Sequence, residues 1–315
     1  MQRETTTSTD AKSVHFYVMS IGDCAGNDSV RWLKRIGAPA DAFTVVLPKT
    51  SQEFVKSYDD AGVDVYLYDE SKYVKADYFE FFGFKPRNCG GVGRQGIAEA
   101  IDESDKDDEI SVQIDDDTSQ MAVRRRTEGG RLLRATVRKW SELADIARAM
   151  DKVHAATGIE PGVHIAVGAG SAPEDGFRTW KRFNFWIMRK GNRQNYYNFA
   201  EFVVDDTIAN MYYWLQGIPQ GGLGGVNLIF KDGQASRADG NDAIYRSDAS
   251  WKKAYALRMT CPWASHLQMK REQGGFLFRE FLLWRHLAPV PMLKDEQGRY
   301  YSINKTEGEF ENGQN

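Results

Sequence analysis

The sequence predicts an α/β fold: a mostly parallel sheet flanked by helices, in a single large domain. Three observations carry this. Apolar runs of strand length alternate with segments of helical period through most of the chain. Glycines close the helical segments, at Gly37, Gly62, Gly158 and Gly217. The run Ile114-Asp115-Asp116-Asp117-Thr118 then places three carboxylates where a strand should end, the edge at which open α/β sheets take their ligands. A chain of 315 residues, 42% hydrophobic, is long enough to bury such a core.

Taken in order, residues 15–19 read as a buried strand opening into a loop over 20–27. Residues 30–36 read as a helix stopped by Gly37, with Pro39 beyond. A second strand over 43–47, a helix over 52–61 closed by Gly62 and a third strand over 63–67 continue the rhythm. A short helix over 95–101 leads to the strand 111–114 before the acidic triplet. The clearest helix is 141–156, with Leu143, Ile146, Ala147, Met150, Val153 and His154 on one face. His154 there reads as a core histidine with a local partner. Strands over 163–167 and 183–188, a helix over 206–215 and a strand over 226–230 complete the alternation. The stretch Gly221-Gly222-Leu223-Gly224-Gly225 reads either as an acceptor loop or as a tight turn. Residues 1–12 are expected to be a polar tail without the apolar core of a signal peptide, 13–290 the domain, and 291–315 a second tail.

Composition narrows the class. A net charge of −3 excludes a generally cationic nucleic-acid coat but permits a local basic patch. Cys24, Cys89 and Cys261 are odd in number and far apart, which suits a reducing compartment such as the cytoplasm and offers no zinc-ligand spacing. No apolar stretch approaches 18 residues, so no membrane partner is expected.

Five constellations bear on chemistry. Three adjacent aspartates repel one another, and a fold that gathers them at a strand end has use for a divalent cation. Mg²⁺ or Mn²⁺, shared with the phosphates of a nucleotide, is the expected occupant, held by Asp115 and Asp117 with Asp116 beside them. A solvated acidic turn is the alternative. The segment from Arg87 through Gly90, Gly91, Gly93 and Arg94 to Gln95 could bring backbone N–H groups and two guanidinium groups to an anion, or be an ordinary loop. Asp205-Asp206 opens a helix, as caps or as a base for an acceptor hydroxyl. Arg124, Arg125, Arg126, Arg131, Arg134, Arg138 and Lys139 surround a hairpin tip at Glu128-Gly129-Gly130, as a solvated hairpin or a contact for a phosphate backbone. Finally, His266 follows a Pro-Trp turn and could add a metal ligand, or be a surface histidine.

In this order the residues resemble GT-A glycosyltransferases, and more narrowly the bacteriophage DNA-base glycosyltransferases associated with TET/JBP oxygenases. The matching segments are Arg94-Gln95, Ile114-Asp115-Asp116-Asp117, Asp205-Asp206 and Leu215-Gln216-Gly217, within roughly residues 14 to 285. Gln95 stands where the family usually has Asn, and Gln113-Ile114 where an aromatic often precedes the acidic run. The resemblance implies a nucleotide-sugar half over 13–118 and an acceptor half over 119–290. It also implies a UDP-sugar donor, a Mn²⁺ or Mg²⁺ cofactor and modified DNA as acceptor partner. Ser20 and Gly22 would cup the base or ribose, with Arg87, Gly93, Arg94, Asp115 and Asp116 around the donor. Asp115, Asp117 and His266 would hold the metal. Asp206, beside Asp205, would take the acceptor proton, with Arg94 facing the charge that develops on the diphosphate. Arg124, Arg125, Arg126 and Arg131 would hold the DNA backbone. A GT-A transferase acting on a small molecule, glycan or protein, and a non-catalytic nucleotide- or DNA-binding module, are the alternatives.

Overall fold

The chain is seen in a computed structural model. It describes residues 12–74, 90–106, 109–126, 132–165, 177–178, 185–190, 209–211, 213, 218, 220–230, 257–258, 262–272, 275–282, 292–294 and 300–302.

Four parallel strands form the first half of the main sheet: β1 (Val14–Met19), β2 (Phe43–Pro48), β3 (Asp64–Tyr68) and β4 (Ile110–Asp115), in the order β3-β2-β1-β4. The near-continuous apolar runs of β1 and β2 are what a parallel sheet covered on both faces requires, and β4, which alternates apolar with polar residues, is buried along both faces as far as Ile114. Between the strands run α1 (Asp28–Arg35), α2 (Val55–Asp59) and α3 (Gly90–Glu103). The Asn27 side chain caps α1 by accepting the Val30 N–H at 2.9 Å, and Gly37 beyond it takes φ 79°. Residues 49–54 form a 3₁₀ turn ahead of α2, so the helix expected over 52–61 is a shorter two-part element.

Beyond β4 the sheet continues through β9 (Phe185–Met188), β7 (Glu160–Ile165), β10 (Gln220–Phe230), β5 (Thr118–Arg126) and β6 (Leu132–Thr136), while β8 (Phe177–Arg178) adds to β10. This half is mixed. β7 and β10 pair in parallel, and β9, β5, β6 and β8 pair antiparallel to their neighbours. Two residues separate β4 from β5 in the chain, yet three strands stand between them in the sheet. The sheet must therefore coil back on itself, and β10 supplies the bend. Its register against β7 jumps from Leu223 to Asn227, and Gly225 at φ 79° lies in that bulge. The glycine-rich stretch is thus part of a strand, neither an acceptor loop nor a turn.

Two cores result. On one face α1 and α4 (Trp140–Thr157) pack Trp32, Leu33, Leu143 and Met150 against Phe16, Val18, Val112, Ile114 and Phe185. On the other face α3 packs Val92, Ile97 and Ile101 against Tyr17, Tyr68, Trp186 and Met188, joined by Ala209 and Tyr213. Outside the main sheet, β11 (Ser265–Glu272) pairs with β12 (Gly275–Leu282). β13 (Met292–Lys294) pairs with β14 (Tyr300–Ser302), so a small hairpin lies in the segment expected to be a tail. Among the described residues no helix is long and apolar enough to cross a membrane.

At the amino-terminal end of the parallel strands His15 is buried, its Nε2 2.9 Å from Thr44 Oγ1. Burial, helped by the Lys106 charge, pulls its pKa down to about 4, against 6.5 for a free imidazole. The unfolded chain therefore binds a proton that the native one refuses. Stability is full above pH 6.5 and is lost as pH falls towards 4, by about 3 kcal/mol in total. Denaturant midpoints measured from pH 7 to pH 4 should show this slope, and His15→Leu should remove most of it. An unchanged slope in His15→Leu would refute the assignment.

Candidate functional site

The acidic triplet is built into the fold by the first turn of α1. Asp115 closes β4, and Asp116 and Asp117 make the turn into β5. Ser29, fully buried, donates its backbone N–H to the Asp116 carbonyl at 3.1 Å. Its hydroxyl donates to the Asp115 carbonyl and accepts the Thr118 N–H at 3.1 Å. One serine therefore satisfies backbone groups on both sides of the turn, and the carboxylates project from a fixed backbone at the carboxyl edge of the parallel strands.

Each of the first two carboxylates has a defined partner. Asp115 faces the Arg94 guanidinium in a two-pronged contact, Nη1 to Oδ1 at 3.2 Å and Nη2 to Oδ2 at 3.5 Å. The side chains are 7% and 15% exposed. The Arg94 guanidinium also lies over the Trp186 ring, 4.9 Å from its centre, so its flat face is covered by an aromatic and its edge by a carboxylate. Asp116 accepts the Ser20 hydroxyl proton at 3.0 Å, which ties the loop after β1 to the triplet. The same loop is held from below by Tyr58, whose hydroxyl donates to the Gly22 carbonyl at 2.9 Å and receives the Asn27 amide at 3.2 Å. Burial raises the Tyr58 pKa above its ordinary value, which keeps that hydroxyl a donor.

The structure thus brings together Ser20, Gly22, Arg94, Asp115, Asp116 and Asp117. It alters the reading of Gly93. Residues 90–93 are the first turn of α3 rather than a loop before it. A Cβ on Gly93 would run into the Met19 side chain, and one on Gly96 into the Tyr68 ring. These glycines set how closely α3 approaches the sheet, and Gly93 faces Met19 rather than an anion. Arg124 is buried on β5, which takes it away from an external phosphate backbone, while Arg134 opposite it is exposed. Arg125 and Arg126 lie on β5. His266 is exposed on β11, opposite Phe281, in the separate hairpin. His154 has a local partner, its Nδ1 lying 3.2 Å from the Ile159 carbonyl and 3.6 Å from Glu160, but it is half-buried beside the core rather than part of it. Arg87, Arg131, Asp205 and Asp206 lie outside the described residues. The helix expected after Asp206 is seen at residues 209–211 and 213, where Ala209 and Tyr213 join the core that contains Trp186.

Ser29, Tyr58 and Trp186 were not singled out by sequence, and Gln113 was noted only as a departure from the family pattern. Ser29 had one weak signal, its place after the capping pair Asn27-Asp28. Gln113 is fully buried on β4, on the Asp115 face, between Tyr17 and Trp186 in register, and neither amide atom has a hydrogen-bond partner. A buried orphan amide costs about 1–3 kcal/mol. Gln113→Met, nearly equal in volume, should therefore raise the unfolding free energy by about 1 kcal/mol or more in a urea titration. A lower stability would mean that the amide is satisfied in solution.

The donor set suits a hard divalent cation. It consists of carboxylate oxygens, and the three aspartates keep two negative charges after Arg94 is counted. Among the described residues, no three His, Cys, Asp or Glu side chains converge as a ready-made ligand cage. An ion here would complete its shell with water or a ligand's phosphates, which is the habit of Mg²⁺. Comparison of the chain with protein-family models and with curated proteins finds no match to either.

Proposed function

We propose that the protein is a metal-dependent glycosyltransferase of the GT-A type. It moves a sugar from a nucleotide sugar, UDP-linked, to the hydroxymethyl group of 5-hydroxymethylcytosine or 5-hydroxymethyluracil in DNA. One observation carries the donor side of this reading. The Arg94–Asp115 pair and the Ser20–Asp116 bond meet at the carboxyl edge of four parallel strands. That edge is where α/β sheets bind nucleotides, and the groups there are those a metal-bound diphosphate needs. The DNA acceptor follows from the family resemblance of the sequence.

In this reading Asp115 and Asp117 hold Mn²⁺ or Mg²⁺, whose chemistry is to neutralise charge on the departing diphosphate. The Ser20–Gly22 loop, fixed by Tyr58, positions the base or ribose. Arg94 turns its guanidinium to the diphosphate oxygens. The acceptor oxygen forms a bond to the anomeric carbon as the bond from that carbon to the diphosphate breaks. Asp206 takes the acceptor proton, with Asp205 beside it. Arg125, Arg126 and Arg131 bear on the DNA backbone.

The test is incubation of the purified protein with Mn²⁺, a panel of UDP-sugars and DNA containing either modified base, followed by mass measurement of the digested nucleosides. A hexose- or pentose-sized gain on the modified base is the expected result. Release of UDP without DNA modification would reject the acceptor. Absence of donor turnover with every nucleotide sugar tried would reject the activity.

A further inference from the structure

We propose that Arg94 is a built-in counter-cation for Asp115 that a divalent ion must displace, so that the metal and a nucleoside diphosphate enter the site together. This rests on the metal-site reading above and says how that site is regulated. Both oxygens of Asp115 face the guanidinium, at 3.2 and 3.5 Å, and the pair is largely out of water. A cation arriving alone at Asp115 meets a positive charge a few ångströms away, in surroundings that screen poorly. It must also break a two-pronged contact that a lysine could not make.

A diphosphate reverses both terms. Its oxygens are the preferred partners of a guanidinium, so Arg94 can leave Asp115 without losing an anion. The Trp186 ring under the guanidinium gives it a surface to turn on. Ser29 holds the Asp115 and Asp116 carbonyls, so the carboxylates need not travel while the arginine moves. The same arginine therefore opposes the metal before the donor arrives and binds the donor afterwards. Linkage makes this reciprocal: whatever factor the diphosphate adds to metal affinity, the metal adds to diphosphate affinity.

The experiment is a Mn²⁺ titration followed by electron paramagnetic resonance of the free ion. Wild type and Arg94→Met are titrated alone and with ADP, CDP, GDP, TDP or UDP. In wild type, Mn²⁺ should bind weakly alone and at least tenfold more tightly with the cognate diphosphate. Arg94→Met should bind Mn²⁺ alone at least tenfold more tightly than wild type, and the diphosphate should add little. Equal Mn²⁺ affinity in the two free proteins, with the diphosphate still enhancing binding in both, would overturn the proposal and leave the metal site standing. No Mn²⁺ binding to wild type under any condition would reject the metal site and this proposal with it. If Arg94→Met does not fold, Arg94→Lys answers the same question. It keeps the charge without the fork, and should show the same gain in free-protein affinity at smaller size. No gain in Arg94→Lys would then overturn the proposal.

Discussion

Asp115→Asn is expected to abolish sugar transfer and to destabilise the protein at the same time. The two effects have different origins. Loss of one carboxylate removes a metal ligand and a negative charge from a site whose remaining charge would be too low to hold a divalent ion, so transfer should fall by about 10³ or more. The stability effect comes from Arg94. Its side chain is 7% exposed, and the Asp115 carboxylate makes a two-pronged ion pair with it. Removing one partner of a buried ion pair typically costs about 3–5 kcal/mol. Thermal unfolding should therefore shift down by many degrees. The double substitution Arg94→Met/Asp115→Leu should regain most of the stability and none of the activity, because a buried ion pair can be replaced by apolar groups at little cost. A stable, active Asp115→Asn protein would contradict the site.

Gly96→Ala should destabilise the protein, although the change adds only one methyl. Helix propensity alone argues the other way, since alanine inside a helix is worth about 1 kcal/mol over glycine. The close approach of α3 to the sheet decides the sign. The added carbon would overlap the Tyr68 ring, which is buried against α3. Overpacking of this kind costs about 1–3 kcal/mol, and an overlap this deep belongs at the upper end. The net expectation is a loss of about 2 kcal/mol in denaturant titration. Gly93→Ala is the informative comparison. Its new carbon meets the Met19 thioether, a flexible chain that can move, so it should lose less. If Gly96→Ala matched wild type, the close helix–sheet contact would be wrong.

Much of the parallel half was legible because β1 and β2 are short apolar runs set by burial on both faces, and the helices between the strands end at glycines. The ends of elements were legible for the same local reason, as at Gly37, Gly62 and Gly158, all of which take positive φ. Glycines within elements misled. Residues 90–93 look like a loop by composition but are helical, and the glycine at 93 is there because a larger residue would not fit against Met19. Residues 221–225 look like a loop and are the bent part of a strand. At the site, Arg94 and the triplet could be named from type and spacing. Their pairing could not, and neither could the clamp by Ser29, because both depend on where α1 and α3 land. The coil of the sheet was invisible for a related reason. A two-residue connection suggests neighbouring strands, whereas the order of pairing is set by segments far away in the chain.

That order has a consequence for how the protein is made. β4 ends in the first aspartate of the triplet, and its second edge is closed by β9, whose first residue is 70 positions later than Asp115. During synthesis the nascent chain presents β1 to β4 well before their last partner leaves the ribosome, and in that interval β4 is an open hydrophobic edge. Unpaired edges of this kind recruit other chains. A recombinant fragment cut after the triplet would inherit the same edge permanently and should aggregate rather than serve as a minimal donor-binding unit. Soluble expression is expected only from chains that extend past Phe230, where β10 has closed the edges of β7 and β5.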